Sequence, residues 1–152
     1  MTLDEALQGV KSIFLDTAPV VYYVENHPLF ADGVEGVIKK LDSGELQGII
    51  SPVTLAECLI YPLKSQDKKL QQEFVDFLLR RQSIKMIESD TGIGLLSARL
   101  RVKYNLKLLD ALQVATAIRS GCEALLTNDD QFRRVSELRV LMVEDFVEGN
   151  VS

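Results

Sequence analysis

Five short apolar runs constrain the fold of this chain more than any other feature of its sequence. The runs cover residues 13–15, 46–51, 84–87, 124–127 and 138–143. Between them, apolar residues recur at the i, i+3, i+4, i+7 spacing of a helix, as at Val34, Val37, Ile38 and Leu41. Short apolar strands that alternate with helices are typical of a parallel sheet covered on both faces. The sequence therefore predicts one α/β domain with a central parallel sheet of about five strands.

The bulk properties of the chain fit a single soluble domain. Its 152 residues suffice for one core, and no apolar run approaches the roughly 20 residues that span a bilayer. Residues 1–5 are acidic and unlike a signal peptide, so we expect a cytoplasmic protein without a membrane partner. Thr2 and Glu5 have the spacing of a helix-capping pair, which predicts a short helix within residues 1–10. The net charge of −5 counts mildly against nucleic-acid binding, which requires local basic patches.

Cysteine and histidine content excludes several kinds of site. Cys58 and Cys122 form no Cys-x-x-Cys pair, and we interpret both as small core residues. His27 is the only histidine and lies in a turn-like string, where we expect a solvated loop residue. A ribonuclease with paired histidines and a histidine-based zinc site are therefore excluded, and a Ser-His-Asp triad is disfavoured. No glycine-rich nucleotide loop is present either.

Four acidic residues stand singly in apolar or small-residue strings, namely Asp16, Glu57, Asp110 and Asp129. Asp16 ends the first predicted strand, and Asp129 follows the fourth. Sites in parallel sheets form beyond the carboxyl ends of the strands, so both belong to one edge. Glu57, in the helix after the second strand, and Asp110, at a helix start, can face the same edge. Four carboxylates gathered there would repel each other strongly unless a divalent cation lay between them.

Each acid also has a purely structural alternative. Asp16 and Asp129 are at positions where aspartate caps a helix, and Asp110 is favourable near a helix start because of the helix dipole. Glu57 is harder to explain in this way, since its helix has almost no polar face. Taken together, three or four oxygen ligands favour one or two hard cations such as Mg²⁺ or Mn²⁺. Such ions activate water for hydrolysis of phosphodiester bonds.

Four strings together make the chain resemble the PIN-domain ribonucleases, most closely the VapC-like toxins. They are FLDT at 14–17, SPVTLAE at 51–57, LDALQVATA at 109–117 and LTNDDQF at 126–132. The resemblance covers nearly the whole chain and implies a single PIN domain over residues 1–152, with a three-layer, Rossmann-like fold. It departs at Leu108, where the family often has proline, and in a longer segment before Ile13.

The resemblance implies an Mg²⁺- or Mn²⁺-dependent endoribonuclease. Asp16, Glu57, Asp110 and Asp129 would be the catalytic, metal-binding acids. Further members of the site would be Thr17 and Thr127, which orient the acids by hydrogen bonds, and Asn128. The Thr-x-Asp-x-x-Phe pattern favours Asp129 over Asp130 as the fourth ligand. Family members are commonly homodimers and are often silenced by a small antitoxin. The alternatives are a DNA nuclease of the same fold and a non-catalytic interaction module.

Two sets of residues are candidates for partner contacts. The candidate RNA contacts are basic and flank the acids in sequence: Arg99, Arg101, Lys103, Arg133 and Arg134. A solvated helix face is the alternative. The second set is apolar and exceeds one core-facing stripe: Leu59, Ile60, Tyr61, Phe74, Phe77, Leu78 and Leu79. Ordinary core is the favoured interpretation for this set, and a groove for a second copy or an antitoxin helix is the alternative.

Overall fold

The fold is a five-stranded parallel sheet between two layers of helices. The computed structural model describes residues 1–147, so the last five residues of the predicted domain lie outside the described part. The strands are β1 (Ser12–Leu15), β2 (Gln47–Ile50), β3 (Ile84–Met86), β4 (Ala124–Thr127) and β5 (Arg139–Met142). Every neighbouring pair is parallel, and the order across the sheet is β3-β2-β1-β4-β5. The predicted three-layer α/β fold is confirmed.

Seven α-helices connect these strands within residues 1–147. They are α1 (Leu3–Ala6), α2 (Thr17–Val24), α3 (Ala31–Asp42), α4 (Pro52–Lys64), α5 (Lys68–Leu79), α6 (Thr91–Tyr104) and α7 (Leu108–Arg119). Two 3₁₀ turns follow, at Asp130–Arg134 and Val143–Phe146. None of these helices is long and apolar enough to cross a membrane.

Helix ends follow the local sequence with one small difference. Thr2 and Glu5 make the predicted capping box of α1. The proline at position 62 predicts an end of α4 nearby, and the helix ends two residues later, at Lys64. The Pro62 carbonyl accepts the Asp67 N–H at 2.9 Å, and Gln66 between them is left-handed, with φ at 56°. Both features are typical of a helix C-terminus.

The core has two parts because side chains alternate across each strand. Ile13 and Leu15 of β1 point to the face covered by α1 to α5, where they pack with residues such as Phe74. Phe14, between them, points to the opposite face and packs against α6 and α7. Both faces of the sheet are thus buried, as expected for short strands that are apolar throughout.

The cysteines and the histidine have structural roles. Cys58 and Cys122 are buried and unpaired, as predicted. Burial raises the pKa of the Cys58 thiol to about 12, so it stays protonated and a poor nucleophile. His27 lies in the predicted turn and is half-buried rather than fully solvated. Its Nδ1 accepts bonds from the N–H groups of Leu29 and Phe30, and its ring stacks on Phe30 at 4.9 Å, which closes the turn before α3.

The strand order creates a crevice at one edge of the sheet. From β1 the chain continues to β2 on one side, whereas β4 lies on the other side of β1. Connections leave in opposite directions at such a point, and ligands of open α/β sheets bind there, outside the carboxyl ends of the strands. The residues that follow β1 and β4 are therefore the first place to look for a functional site.

Candidate active site

Asp16 follows β1 directly and is buried at this crevice. Its N–H donates to the Leu126 carbonyl at 3.0 Å, which extends the β1–β4 ladder by one bond. Its side chain is only 8% exposed and accepts a bond from the Thr127 hydroxyl at 2.8 Å. Asp16 stands at the N-cap position of α2 but makes no capping bond, so the simple structural alternative does not account for it. Burial raises its pKa to about 6, against the opposing effect of the Thr127 bond.

Glu57 lies on α4, and its carboxylate is tied to the helix that follows Asp16. The Thr17 hydroxyl donates to Glu57 Oε1 at 2.7 Å. Thr17 is the first residue of α2, so this bond joins the start of α2 to the second turn of α4, and these two helices follow neighbouring strands. The side chain of Glu57 is half-buried, and the next residue, Cys58, is in the core. Glu57 is therefore held at the crevice and not on a solvated helix face.

Asp110 and Asp129 complete the set from the other side of the sheet. Asp110 lies in the first turn of α7 and is half-buried. Asp129 follows β4 and is exposed. It accepts a bond from the Gln131 N–H at 2.9 Å and so caps the 3₁₀ turn Asp130–Arg134. The Asp129 N–H donates to the Thr127 hydroxyl at 3.1 Å. Thr127 thus bonds to both Asp16 and Asp129.

Electrostatic interactions show that the four acids share one region. Burial raises the pKa of Asp110, and the negative charges of Asp129 and Glu57 raise it further. The charges of Asp110 and Glu57 likewise add to the rise in the pKa of Asp16. Such mutual repulsion disfavours ionisation of all four groups together, and a positive ion between them would relieve it.

The donor set fits a hard divalent cation, because all its ligands are carboxylate oxygens. Within residues 1–147, however, no group of three or more His, Cys, Asp or Glu side chains is arranged to hold a metal ion. A three-carboxylate site would therefore require side-chain rotation. The four acids lie on or beside separate elements, and Asp16 and Glu57 are held in place by Thr127 and Thr17. Asp16, Glu57, Asp110 and Asp129 remain the predicted ligands.

The adjacent acid, Asp130, faces away from this cluster. Its side chain is 80% exposed and pairs with Arg133 at 3.1 Å. The charge that acts on Asp110 is that of Asp129. Asp129 stays the predicted fourth acid.

Exchange of either aspartate for asparagine gives a matched test of this choice. We expect Asp129→Asn to slow metal-dependent phosphodiester cleavage by roughly tenfold, because one carboxylate charge is lost while the cap to Gln131 is kept. Asp130→Asn should leave the rate within about twofold, since a surface ion pair contributes little. Rates of both variants on one labelled oligonucleotide check the prediction, and a larger effect at Asp130 would contradict it.

Asn128 connects the site to its surroundings. Its side-chain NH₂ donates to the Tyr22 hydroxyl at 3.2 Å, and its side-chain oxygen accepts a bond from the Glu144 N–H at 3.1 Å. These bonds link the loop after β4 to α2 and to the 3₁₀ turn after β5. A role for Asn128 in chemistry stays a prediction, and its contacts within the chain are those of a loop anchor.

Four of the five candidate RNA contacts are bonded within the chain. Lys103 pairs with Glu137 at 3.4 Å, and Arg133 pairs with Asp130 and Glu144. Arg101 and Arg134 donate to backbone carbonyls near the end of α6: Leu106 for the first, Tyr104 and Asn105 for the second. Arg99 is exposed on α6. The basic clusters therefore stabilise the α6–α7 connection and the loop after β4, and contact with RNA stays a prediction.

The apolar set on α4 and α5 divides between core and surface. Phe74, Phe77 and Leu78 are buried, as the core interpretation predicts. Ile60, Tyr61 and Leu79 are at least half exposed, and they are joined by Leu63, which the sequence analysis did not single out. We call the group Ile60, Tyr61, Leu63 and Leu79 the α4–α5 apolar residues.

A buried polar network beside the acids was missed from the sequence. Ser51, Thr54 and Gln113 are each at most 1% exposed. The Ser51 hydroxyl donates to Gln113 Oε1, and Gln113 Nε2 donates to the Thr54 hydroxyl at 2.9 Å. A signal was present: Gln113 lies in the apolar string Ala-Leu-Gln-Val-Ala, where a polar residue has no solvated face, as we noted for Glu57.

A family model and several solved structures match this chain. The model of the PIN domain family matches residues 13–138. A comparison with curated proteins finds no match. The fold is similar to VapBC2 of Rickettsia felis, solved bound to a promoter DNA fragment, with a TM-score of 0.70 and 23% identity over 86% of this chain and 98% of that chain.

Two further solved structures have the same fold. A toxin–antitoxin complex from Klebsiella pneumoniae gives a TM-score of 0.66 and 20% identity over 86% of this chain and 97% of the other. Mycobacterium tuberculosis VapC20, a toxin that cleaves the sarcin–ricin loop, gives a TM-score of 0.66 and 13% identity over 84% of this chain and 98% of the other. At these identities the likeness concerns the fold, and the site must be argued from its own residues.

Proposed function

Because the chain belongs to the PIN domain family, we propose that it is a divalent-metal-dependent endoribonuclease and the toxin of a toxin–antitoxin pair. Family membership supports a nuclease, that is, a phosphodiester hydrolase. The observation that carries the proposal is the electrostatic coupling of Asp16, Glu57, Asp110 and Asp129 at the crevice between β1 and β4. No other chemistry explains as well why four acids from separate elements are placed together.

The residues of the site have separable tasks in this reaction. When bound, an Mg²⁺ or Mn²⁺ ion would lower the pKa of a water molecule and stabilise the charge of an in-line displacement at phosphorus. Asp16, buried and fixed by Thr127, would give the most rigid ligand oxygen. Glu57, fixed by Thr17, and Asp110 would complete the inner set, with Asp129 at the exposed rim. The products would carry a 5′-phosphate and a 3′-hydroxyl.

The preference for RNA over DNA rests on the resemblance to VapC-like toxins and on the fold shared with VapC20, a toxin that cleaves the sarcin–ricin loop. Exposed cations that flank the acids in sequence, Arg99 above all, would contact the phosphate backbone. With a net charge of −5, the chain would depend on such local contacts.

The partners belong to the same proposal. Several of the solved structures with a similar fold are toxin–antitoxin assemblies, such as the Klebsiella pneumoniae complex. The α4–α5 apolar residues lie on the surface, and exposed apolar patches commonly mark protein contacts. We propose that this chain forms a homodimer and is inhibited by a small antitoxin, and that it acts in the cytoplasm.

Matched RNA and DNA oligonucleotides of one sequence test the substrate. We expect cleavage of single-stranded or looped RNA in Mg²⁺ or Mn²⁺, none in excess chelator, and at least tenfold slower cleavage of the DNA. Product analysis should give 5′-phosphate ends. Preference for DNA would replace the ribonuclease with a DNA nuclease. Lack of cleavage of both substrates, with no heat of Mg²⁺ binding by calorimetry, would favour a non-catalytic module.

A further inference from the structure

The network of Ser51, Thr54 and Gln113 joins the two helices that carry Glu57 and Asp110. Ser51 and Thr54 are at the start of α4, and Gln113 is on α7. Gln113 bonds to both hydroxyls with its side-chain oxygen and nitrogen. The Ser51 hydroxyl also accepts the Val53 N–H at 3.1 Å, so it caps α4 while it holds Gln113. One amide therefore fixes α7 against the cap of α4.

The spacing along both helices relates this network directly to the acids. Thr54 precedes Glu57 by three residues, and Gln113 follows Asp110 by three residues. Residues three apart lie on the same side of a helix. On α4 and on α7, the network residue thus lies one helical turn from the acid. Thr54 and Gln113 bond to each other between the two helices, and we place Glu57 and Asp110 one turn further along the same contact. The charge of Glu57 acts on Asp110, consistent with this placement.

Core stability alone does not explain three polar side chains at this contact. The neighbours of Gln113 on α7 that face the core, Ala111, Val114 and Ala115, are fully buried and apolar. Ser51 is needed as the cap of α4, but apolar residues at Thr54 and Gln113 could pack with little loss, since replacing both partners of a buried hydrogen bond can be nearly neutral. A fully bonded polar network fixes one relative position of two elements, which loose apolar packing does less well. Within residues 1–147, no buried side-chain polar atom is left without a partner.

We propose that Gln113, with Ser51 and Thr54, is a positioning unit that sets the separation of Glu57 and Asp110. This inference rests on the proposed function, because it assigns the two acids to a common metal site. The amide touches neither acid, so its effect passes through the relative position of α4 and α7. Outer-shell residues of metal sites commonly alter affinity or rate by roughly 10- to 100-fold.

Four variants test the proposal in the full chain. Gln113→Leu removes the amide at similar volume, and Thr54→Val removes its acceptor; the double variant removes both. Thr116→Val is the matched control, since its hydroxyl is also buried on α7 but donates to Leu112 of its own helix at 2.8 Å. For each variant we would measure kcat and KM on one RNA, Mg²⁺ affinity by calorimetry, and the melting temperature.

We expect Gln113→Leu to lower kcat and Mg²⁺ affinity at least tenfold with KM for RNA within about twofold. The double variant should recover part of the melting temperature, because Thr54 no longer lacks a partner while Ser51 still lacks its acceptor, but it should not recover kcat. Thr116→Val should melt lower with unchanged kcat. Recovery of kcat in the double variant, or an equal kcat loss in Thr116→Val, would overturn the proposal.

The metal measurement keeps this inference distinct from the proposed function. If the wild type binds Mg²⁺ but cleaves no RNA, the ribonuclease assignment fails while the network is still judged by its effect on Mg²⁺ affinity. If the wild type neither binds Mg²⁺ nor cleaves, the acids form no metal site and the positioning role is refuted with it.

Discussion

The Asp16→Asn variant should cleave RNA roughly 10³-fold more slowly than the wild type, a loss of about 4 kcal/mol in transition-state stabilisation. Asparagine keeps the shape and the bond from Thr127 but removes the buried charge that would hold the cation. The effect should be the largest of any single exchange in the site, because Asp16 is the most buried of the four acids. Initial rates under saturating Mg²⁺ give the measurement.

The same variant should be more stable than the wild type when a chelator is present. The pKa of Asp16 is raised from 3.8 to about 6, so between these values the folded state holds a proton that the unfolded state has lost. The wild type's free energy of unfolding therefore falls as pH rises from about 4 to about 6, by up to roughly 3 kcal/mol. Asparagine abolishes this slope. Saturating Mg²⁺ should stabilise the wild type and have little effect on the variant.

Asp67→Asn is the control for both measurements. Asp67 caps α5 by accepting the Leu70 N–H at 3.0 Å, and asparagine caps about equally well, so activity and stability should hardly change. Equal cleavage by wild type and Asp16→Asn would remove Asp16 from the site. A lower stability of Asp16→Asn in chelator at pH 8 would show that the charge of Asp16 is structural and compensated within the fold.

Thr127→Val should lower cleavage by roughly 100-fold, because one hydroxyl orients two of the acids. It donates to Asp16 and accepts the Asp129 N–H, and it is fully buried at the end of β4. Valine has nearly the same shape and suits a strand, so the fold should persist. The bond from Thr127 lowers the pKa of Asp16, so its loss should move that pKa above 6. Carboxyl titration by NMR in chelator measures the shift.

Thr127→Ser provides the matched variant, since it keeps the hydroxyl and loses only a methyl group. We expect Thr127→Ser to retain most of the activity and an Asp16 pKa close to 6. Thr127→Val should also unfold more easily by about 1–3 kcal/mol, the usual cost of a buried polar group left without its partner. If valine and serine behave alike, the hydroxyl has no role in orienting the acids.

Secondary structure was predictable here because local patterns agreed with the fold. The apolar runs became strands, and helix ends followed residues such as Thr2 and Ser51. His27 shows a limit of reading short strings. Its ring contacts Tyr22 and Phe30, which are near in sequence, but these contacts exist only because the turn before α3 folds back on α2.

Candidate members of the site could be named from the sequence, but their geometry could not. Acids in apolar strings are conspicuous, so Asp16 and Glu57 could be singled out. Hydrogen-bond partners could not be derived from spacing, because Thr127 and Asp16 are 111 residues apart and Thr17 and Glu57 are 40 apart. Family resemblance suggested that Thr17 and Thr127 orient the acids, but not which acid each of them bonds to. The same limit applies to Arg134, a candidate RNA contact. Its two backbone carbonyl partners lie at the end of α6, 30 and 29 residues away in sequence.

Sequence by itself determined the layers, the number of strands and the edge at which the acids gather, because side-chain periodicity and strand direction are local properties. Only the tertiary structure decided which groups at that edge interact electrostatically and which form hydrogen bonds. Burial of Asp16 to 8% exposure, the double role of Thr127 and the amide of Gln113 all depend on contacts between distant elements. The pKa of an acid and the separation of two helices are set by that packing.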